Sequence, residues 1–95
     1  MIVLNVTYKC KPGMREAFLE RLIAEGLDEK SRMDEGNIQY DYYLPVKDSG
    51  ELLLLEKWKD ADVLAAHGKQ PHLKRIGELK ADYVTETVIE KYVVE

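Results

Sequence analysis

The alternation of apolar and polar residues along the chain predicts four β-strands. Side chains of a strand point alternately to its two faces, so a period of two marks a strand with one buried face. Segments with this pattern, or with a continuous apolar run, are Ile2–Cys10, Ile38–Leu44, Glu51–Trp58 and Val84–Val94. The loop Pro45–Gly50 contains the turn-forming sequence Asp-Ser-Gly at 48–50, so the two strands that flank it should form a hairpin.

Helical spacing of apolar residues predicts two long helices, Met14–Ser31 and Pro71–Asp82, and a short one that begins after Asp60. Gly26 costs about 1 kcal/mol relative to alanine inside a helix, so it marks a kink or a close approach to the sheet. The order β-α-β-β-α-β, with the extra short helix, predicts an α+β ferredoxin-like fold. We expect one domain over residues 1–95, an antiparallel sheet with helices on one face.

The face of the sheet turned away from the helices should be apolar. Depending on strand register, it offers Val3, Tyr43, Leu53, Leu55, Ile89 and Val93. A surface of this kind is normally covered. We therefore predict a homodimer packed sheet against sheet, a dimeric α+β barrel. In the alternative interpretation these residues are scattered and the chain is a monomer.

Composition and charge narrow the range of partners. The net charge is −4, which argues against nucleic acid because phosphate binding needs a basic face. Ile2–Tyr8 is too short for a signal peptide, and no apolar run approaches the roughly 20 residues of a membrane helix. The single cysteine, Cys10, cannot form an internal disulfide and is typical of a protein in a reducing cytoplasm.

Side chains that could take part in acid–base chemistry or ligand binding concentrate between Glu51 and His72. Glu56 and Trp58 share one strand face, the short helix carries His67 before Gly68 ends it, and His72 lies in the first turn of the next helix. We expect a pocket at this junction of sheet and helices. In particular, His67 and Trp58 should open onto one shared apolar cavity.

Two of these residues are candidate catalytic groups. His67 can accept a phenolic proton because its pKa lies near neutrality. Glu56, if buried, needs a donor such as His67 or Trp58, and a carboxylate that orients an imidazole is a recurrent catalytic arrangement. The candidate substrate-binding residues are Trp58, Tyr40, Tyr42 and His72. Each of the six also has a purely structural interpretation, as a core or hydrogen-bonding residue.

No metal or cofactor site is predicted from the spacing of residues. The two histidines are separated by a glycine and a proline, which excludes helical i,i+4 geometry, and no third ligand is spaced for them. The chain also has no glycine-rich phosphate loop, so flavin, nicotinamide and nucleotide sites are not expected.

Short motifs in a fixed order resemble those of the antibiotic biosynthesis monooxygenase family. They are Pro-Gly at 12–13, Glu-Gly-Asn-Ile-x-Tyr at 35–40, Glu-x-Trp at 56–58, Ala-His at 66–67 and Gln-Pro-His at 70–72. Members of that family are small dimeric ferredoxin-like proteins, and they include cofactor-free quinol monooxygenases. The resemblance implies oxidation of a quinol or related phenol by O₂, with His67 as base and the reactive anion enclosed in the cavity.

Three alternatives follow from the same motifs. The GNIQYD and PH segments also resemble autoinducer-2-phosphate isomerase relatives, which implies isomerisation of a small hydroxy-ketone. A non-enzymatic ligand-binding dimer would use Glu56, Trp58 and His67 only structurally. The haem-degrading branch of the family uses an asparagine on the first strand, and that position falls on Val6 here while Asn5 points to the opposite face. This departure counts against haem.

Overall fold

Four strands form one antiparallel sheet in the order β2-β3-β1-β4. The computed structural model describes residues 1–47 and 49–95, so Asp48 of the predicted turn lies outside the described residues. The elements in chain order are β1 (Ile2–Cys10), α1 (Arg15–Ala24), α2 (Leu27–Arg32), β2 (Asn37–Tyr43), β3 (Glu51–Trp58), α3 (Ala61–Gly68), α4 (Pro71–Tyr83) and β4 (Val84–Val93). The predicted α+β ferredoxin-like fold is confirmed, including the hairpin of β2 and β3.

The two central strands, β1 and β3, bury the same face of the sheet. Burial alternates along both strands, as the period of two predicts. The buried residues of β1 are Ile2, Leu4, Val6 and Tyr8, and those of β3 are Leu52, Leu54, Glu56 and Trp58. The helices complete the core with Phe18, Leu22, Leu27, Ile76 and Leu79. The one acidic residue on this buried face of the two strands, Glu56, therefore lies under the helical layer.

The first helical segment is divided at Gly26, which corrects the prediction of one helix over Met14–Ser31. Gly26 has φ +65°, a left-handed conformation that ends α1 and starts α2 in a new direction. Arg32 at the end of α2 then reaches β2, where its Nε donates to the Tyr40 carbonyl at 2.8 Å. Beside the break, Glu25 accepts two hydrogen bonds from Arg75, at 2.7 and 2.9 Å, and so ties α1 to α4.

The loop between α2 and β2 is pressed against α3. Gly36 has φ +79°, and a Cβ placed on it would lie only 2.5 Å from Cγ2 of Val63. The Gly36 carbonyl also accepts a hydrogen bond of 2.9 Å from the backbone N–H of Lys59. Only glycine fits both the backbone conformation and the close approach, so this residue fixes the loop 33–36 beside the helix that carries His67.

Helix α3 begins and ends as predicted. The Asp60 carboxylate accepts a hydrogen bond of 2.9 Å from the backbone N–H of Val63, which caps the helix. Pro71 occupies the first position of α4, as expected. None of the helices in the described part of the chain is long and apolar enough to cross a membrane.

The sheet face away from the helices, called here the outer face, carries six apolar or aromatic residues. They are Val3, Tyr43, Leu53, Leu55, Val88 and Tyr92. Ile89 and Val93 were expected on this face but lie on the helix side, because they pair with Val6 and Ile2 of the buried face. Both are exposed there, at the edge that the helices leave uncovered.

Candidate active site

The two histidines of the chain meet at one carboxylate. Nδ1 of His67 lies 2.6 Å from Oδ2 of Asp34, and Nε2 of His72 lies 2.8 Å from the same oxygen. The three side chains are only 4 to 10% exposed. We call this group the His–Asp–His cluster. A carboxylate oxygen accepts, so each imidazole donates an N–H to it, and neutral His67 keeps its Nε2 free as a proton acceptor.

Three elements converge to build the cluster. Asp34 belongs to the loop that Gly36 holds against α3, His67 lies in the last turn of α3, and His72 lies in the first turn of α4. The short connection through Gly68 and Pro71 turns the chain between the two histidines. The cluster thus depends on the packing of the loop on α3, and neither histidine reaches Asp34 by local sequence spacing.

The other nitrogen of His67 faces a second carboxyl group. Its Nε2 lies 3.8 Å from Oε1 of Glu56, and that oxygen accepts a hydrogen bond of 3.0 Å from Nε1 of Trp58. The indole of Trp58 also lies against the imidazole, with ring centres 4.3 Å apart and a tilt of 35°. Trp58 is fully buried, so it supports Glu56 and His67 from the core side.

Burial shifts the pKa of both groups towards their neutral forms. It lowers the pKa of His67, although the hydrogen bond to Asp34 opposes this change. It raises the pKa of the Glu56 carboxyl, although the N–H of Trp58 opposes that change. The site therefore places a neutral imidazole base beside a carboxyl group that holds its proton more tightly than usual.

A cavity of about 250 Å³ opens beside His67 and Glu56. We call it the His67 cavity. Its walls are mostly apolar and come from β1, α3, α4 and β4: Leu4, Val6, Leu64, Leu73, Ile76 and Ile89. Its polar groups are few, and besides Glu56 and His67 they include Tyr8, Lys80 and Thr87. Mostly apolar walls with a few convergent polar groups are typical of a small-molecule site.

Lys80 adds a cation to this cavity. Its Nζ lies 5.7 Å from the centre of the Tyr8 ring, and burial lowers the pKa of its ammonium group. An anion formed in the His67 cavity would find this charge in surroundings that screen it less than water does. Lys80 was not among the site residues predicted from the sequence.

The six residues predicted for the site are placed differently by the fold. Glu56 and His67 line the His67 cavity. Trp58 is not among the described residues of the cavity wall, so the expected shared cavity holds for His67 and not for Trp58. Tyr40 is also buried, with its ring centre 6.0 Å from that of His67. The remaining two lie elsewhere, Tyr42 in a separate cavity near α1 and α2, and His72 at Asp34.

Asp34 is the residue of the candidate site that was not predicted from the sequence. It lies 33 positions before His67, so no spacing rule connects the two. A signal was nevertheless present in the predicted hairpin. If β2 pairs with β3, the start of β2 must lie beside the end of β3, and Asn37 does pair with Trp58. The residues just before β2 are thereby brought to the start of α3.

Comparisons with known proteins found matches to both the sequence and the fold. The sequence profile of the antibiotic biosynthesis monooxygenase family matches residues 1–79. A Bacillus subtilis (strain 168) protein named "Putative monooxygenase YcnE" is 40% identical over 74 residues, which cover 78% of this chain and 76% of that protein.

Two solved structures share the whole fold. The first is a protein described as "Putative antibiotic biosynthesis monooxygenase from Nitrosomonas europaea". It superposes with a TM-score of 0.88 at 26% identity, over 99% of this chain and 98% of that one. PA3566 from Pseudomonas aeruginosa superposes with a TM-score of 0.88 at 26% identity, over 99% of this chain and 93% of that one. By its sequence and its fold, this chain belongs to the antibiotic biosynthesis monooxygenase family.

Proposed function

We propose that the protein is a cofactor-independent monooxygenase that oxidises a quinol or a related phenolic compound with O₂. One observation carries the proposal: Asp34 holds the Nδ1 proton of His67, so the free Nε2 lies on the Glu56 side, where both residues line an apolar cavity. This arrangement is that of a general base whose tautomer and orientation are fixed by a carboxylate. The family assignment and the name of the Bacillus relative support the same reaction class.

The reaction would start with transfer of the phenolic proton to Nε2 of His67. The anion then gives one electron to O₂, and the resulting radical pair combines to a peroxide anion at a ring carbon. This anion takes the proton back from Nε2 of His67 and becomes a hydroperoxide, which regenerates the base. Loss of the C–H proton with cleavage of the O–O bond leaves a new carbonyl group and releases water. All four electrons come from the substrate, so a hydroquinone and O₂ give a hydroxyquinone and water without an added reductant.

The other residues of the site support this chemistry in different ways. Lys80 stabilises the anion, and Glu56, beside Nε2 of His67, serves as a second proton carrier. The apolar walls keep water from the reactive intermediate. Trp58 and Tyr40 lie behind the cavity against His67, and His72 shares Asp34 with it, so these three position the base. Tyr42 lies in the separate cavity near α1 and α2 and has no part in this step.

We also propose that the protein forms a homodimer through the outer face. Val3, Leu53 and Leu55 are half-buried in the single chain, while Tyr43 and Tyr92 are about 50% exposed at the two edges. A small domain gains stability when such a face is covered. Replacement of Leu53 by lysine should give an 11.0 kDa species in sedimentation, whereas Val46→Lys in the exposed loop should not. A wild-type chain that sediments as a monomer would contradict the dimer.

Oxygen consumption with reduced quinones tests the proposed reaction. The variant His67→Gln should lose about 10²–10⁴-fold in turnover, the usual contribution of a general base. Lys74→Gln, at an exposed position of α4, is the matched control and should retain the wild-type rate. Equal turnover by wild type and His67→Gln would exclude His67 as the base.

An isomerase remains the second candidate, because the site holds two groups that can exchange protons without O₂. Glu56 and His67 lie side by side, and burial favours a protonated acid next to a neutral base. Such a pair suits proton transfer between the two carbons of a small hydroxy-ketone. Turnover of such a compound under strict anaerobiosis, lost in His67→Gln, would favour the isomerase over the monooxygenase.

A further inference from the structure

We propose that Asp34, His67 and His72 form a binding site for a divalent transition-metal ion. Each residue offers one ligand atom, and these three atoms all lie within 4.8 Å of one another. Two imidazole nitrogens and one carboxylate oxygen are a donor set that binds Zn²⁺ and its first-row neighbours. The inference goes beyond the proposed oxidation and does not depend on it.

The three ligand atoms would have to rearrange to hold an ion. With metal–ligand bonds of about 2.0–2.1 Å, neighbouring ligand atoms of a tetrahedral site lie roughly 3.3 Å apart. The two imidazole nitrogens already lie 2.6 and 2.8 Å from the Asp34 oxygen. The Asp34 oxygen would therefore move outward by about 0.7 Å from His67 and about 0.5 Å from His72. The two imidazole nitrogens, which lie up to 4.8 Å apart, would settle at the same spacing, and water would complete the coordination.

The electrostatic surroundings favour a cation. A second cavity, of about 350 Å³, reaches the cluster on the side away from Glu56. Among the described residues that line it, three are carboxylates, Asp34, Glu35 and Asp62, and none is lysine or arginine. The amide of Gln70 lines the same cavity. This cavity gives an ion a route from solvent that does not cross the His67 cavity.

Metal binding would change the tautomer of both histidines without net loss of protons. In the hydrogen-bonded cluster, the proton of neutral His67 is on Nδ1 and that of neutral His72 is on Nε2. A metal ion on these nitrogens leaves the protons on Nε2 of His67 and Nδ1 of His72. Nε2 of His67 then becomes a donor, so a bound ion removes the proposed base.

Zinc titration of the untagged protein tests the site directly. We expect one Zn²⁺ per chain by calorimetry. In ¹⁵N NMR, the two imidazoles are the only histidine signals of the chain, and the metal-bound nitrogens should be Nδ1 of His67 and Nε2 of His72. Asp34→Asn and His72→Gln should each weaken binding at least about tenfold, since even loss of a supporting residue around a metal costs that much.

Two further variants serve as controls. Asp82→Asn removes an exposed carboxylate of α4, and Cys10→Ser removes the single thiol; both should bind Zn²⁺ as the wild type does. Far-UV circular dichroism checks that each variant is folded. The wild-type NMR experiment needs no variant, so a misfolded variant leaves the test intact.

The inference is overturned if Zn²⁺ leaves both imidazole tautomers unchanged, or if Asp34→Asn and His72→Gln bind as tightly as the wild type. The cluster is then only a hydrogen-bonded junction of the loop and the two helices. Failure of the proposed oxidation is seen separately, as absence of O₂ uptake by the metal-free protein. Either result can occur without the other.

Discussion

Gly36→Ala tests whether the loop that carries Asp34 is held by its contact with α3. Gly36 has a left-handed backbone, which costs a residue with a Cβ about 1–2 kcal/mol. The added methyl would also lie 2.5 to 2.8 Å from three side-chain atoms of Val63. Overpacking of this kind costs about 1–3 kcal/mol, so the free energy of unfolding should fall by about 2–5 kcal/mol in total.

Gly13→Ala is the matched control for the cost of the left-handed backbone conformation alone. Gly13 has φ +73°, but a Cβ there would meet nothing within 4 Å, so this variant should lose only about 1–2 kcal/mol. Urea unfolding followed by far-UV circular dichroism measures both. In the Gly36→Ala background, Val63→Ala removes two of the three crowding atoms and should recover part of the loss. Equal destabilisation by Gly36→Ala and Gly13→Ala would refute the close packing of the loop on α3.

Three further predictions address the core and the buried titratable groups. Phe18→Ala should cost about 3–5 kcal/mol in urea unfolding because the ring is fully buried, whereas Met33→Ala, 85% exposed, should cost little. Burial lowers the pKa of folded His67, so the unfolded chain takes up a proton first as the pH falls below 6.5, and wild type should lose stability there relative to His67→Gln. A parallel loss in both proteins would contradict this. Burial raises the pKa of folded Glu56, so its stabilisation is complete below pH 4.5 and is lost as the pH rises through the folded value. Glu56→Gln, which keeps an acceptor for Trp58, should therefore gain stability relative to wild type between pH 4 and 7, and an unchanged difference would disprove it.

The fold was predictable because its signals are local and mutually consistent. The alternation in β1 and β3, the Asp60 cap and the Pro71 start each specify an element, and the element order restricts the topology to a few possibilities. The break at Gly26 was not resolved, because glycine inside a helical pattern costs too little to distinguish a kink from a termination. The side of Ile89 and Val93 was also wrong, since a shift of one residue moves a side chain to the other face.

The candidate site was only partly predictable, because its key contact is non-local. Glu56, Trp58 and His67 are close in sequence and follow one hairpin and one helix, so their proximity follows from the element order. Asp34 enters through the packing of a loop, which depends on one glycine and the shape of Val63. The same contact is why two histidines without a spaced third ligand nevertheless share a carboxylate.

The single tryptophan of the chain, Trp58, lies against His67, with the ring centres 4.3 Å apart. A positive charge on that imidazole would act directly on the electron-rich indole ring. The fluorescence of this tryptophan therefore reports the charge of one side chain, His67. A change of charge at His67, whether from a proton or from an ion, becomes visible in real time without any attached dye.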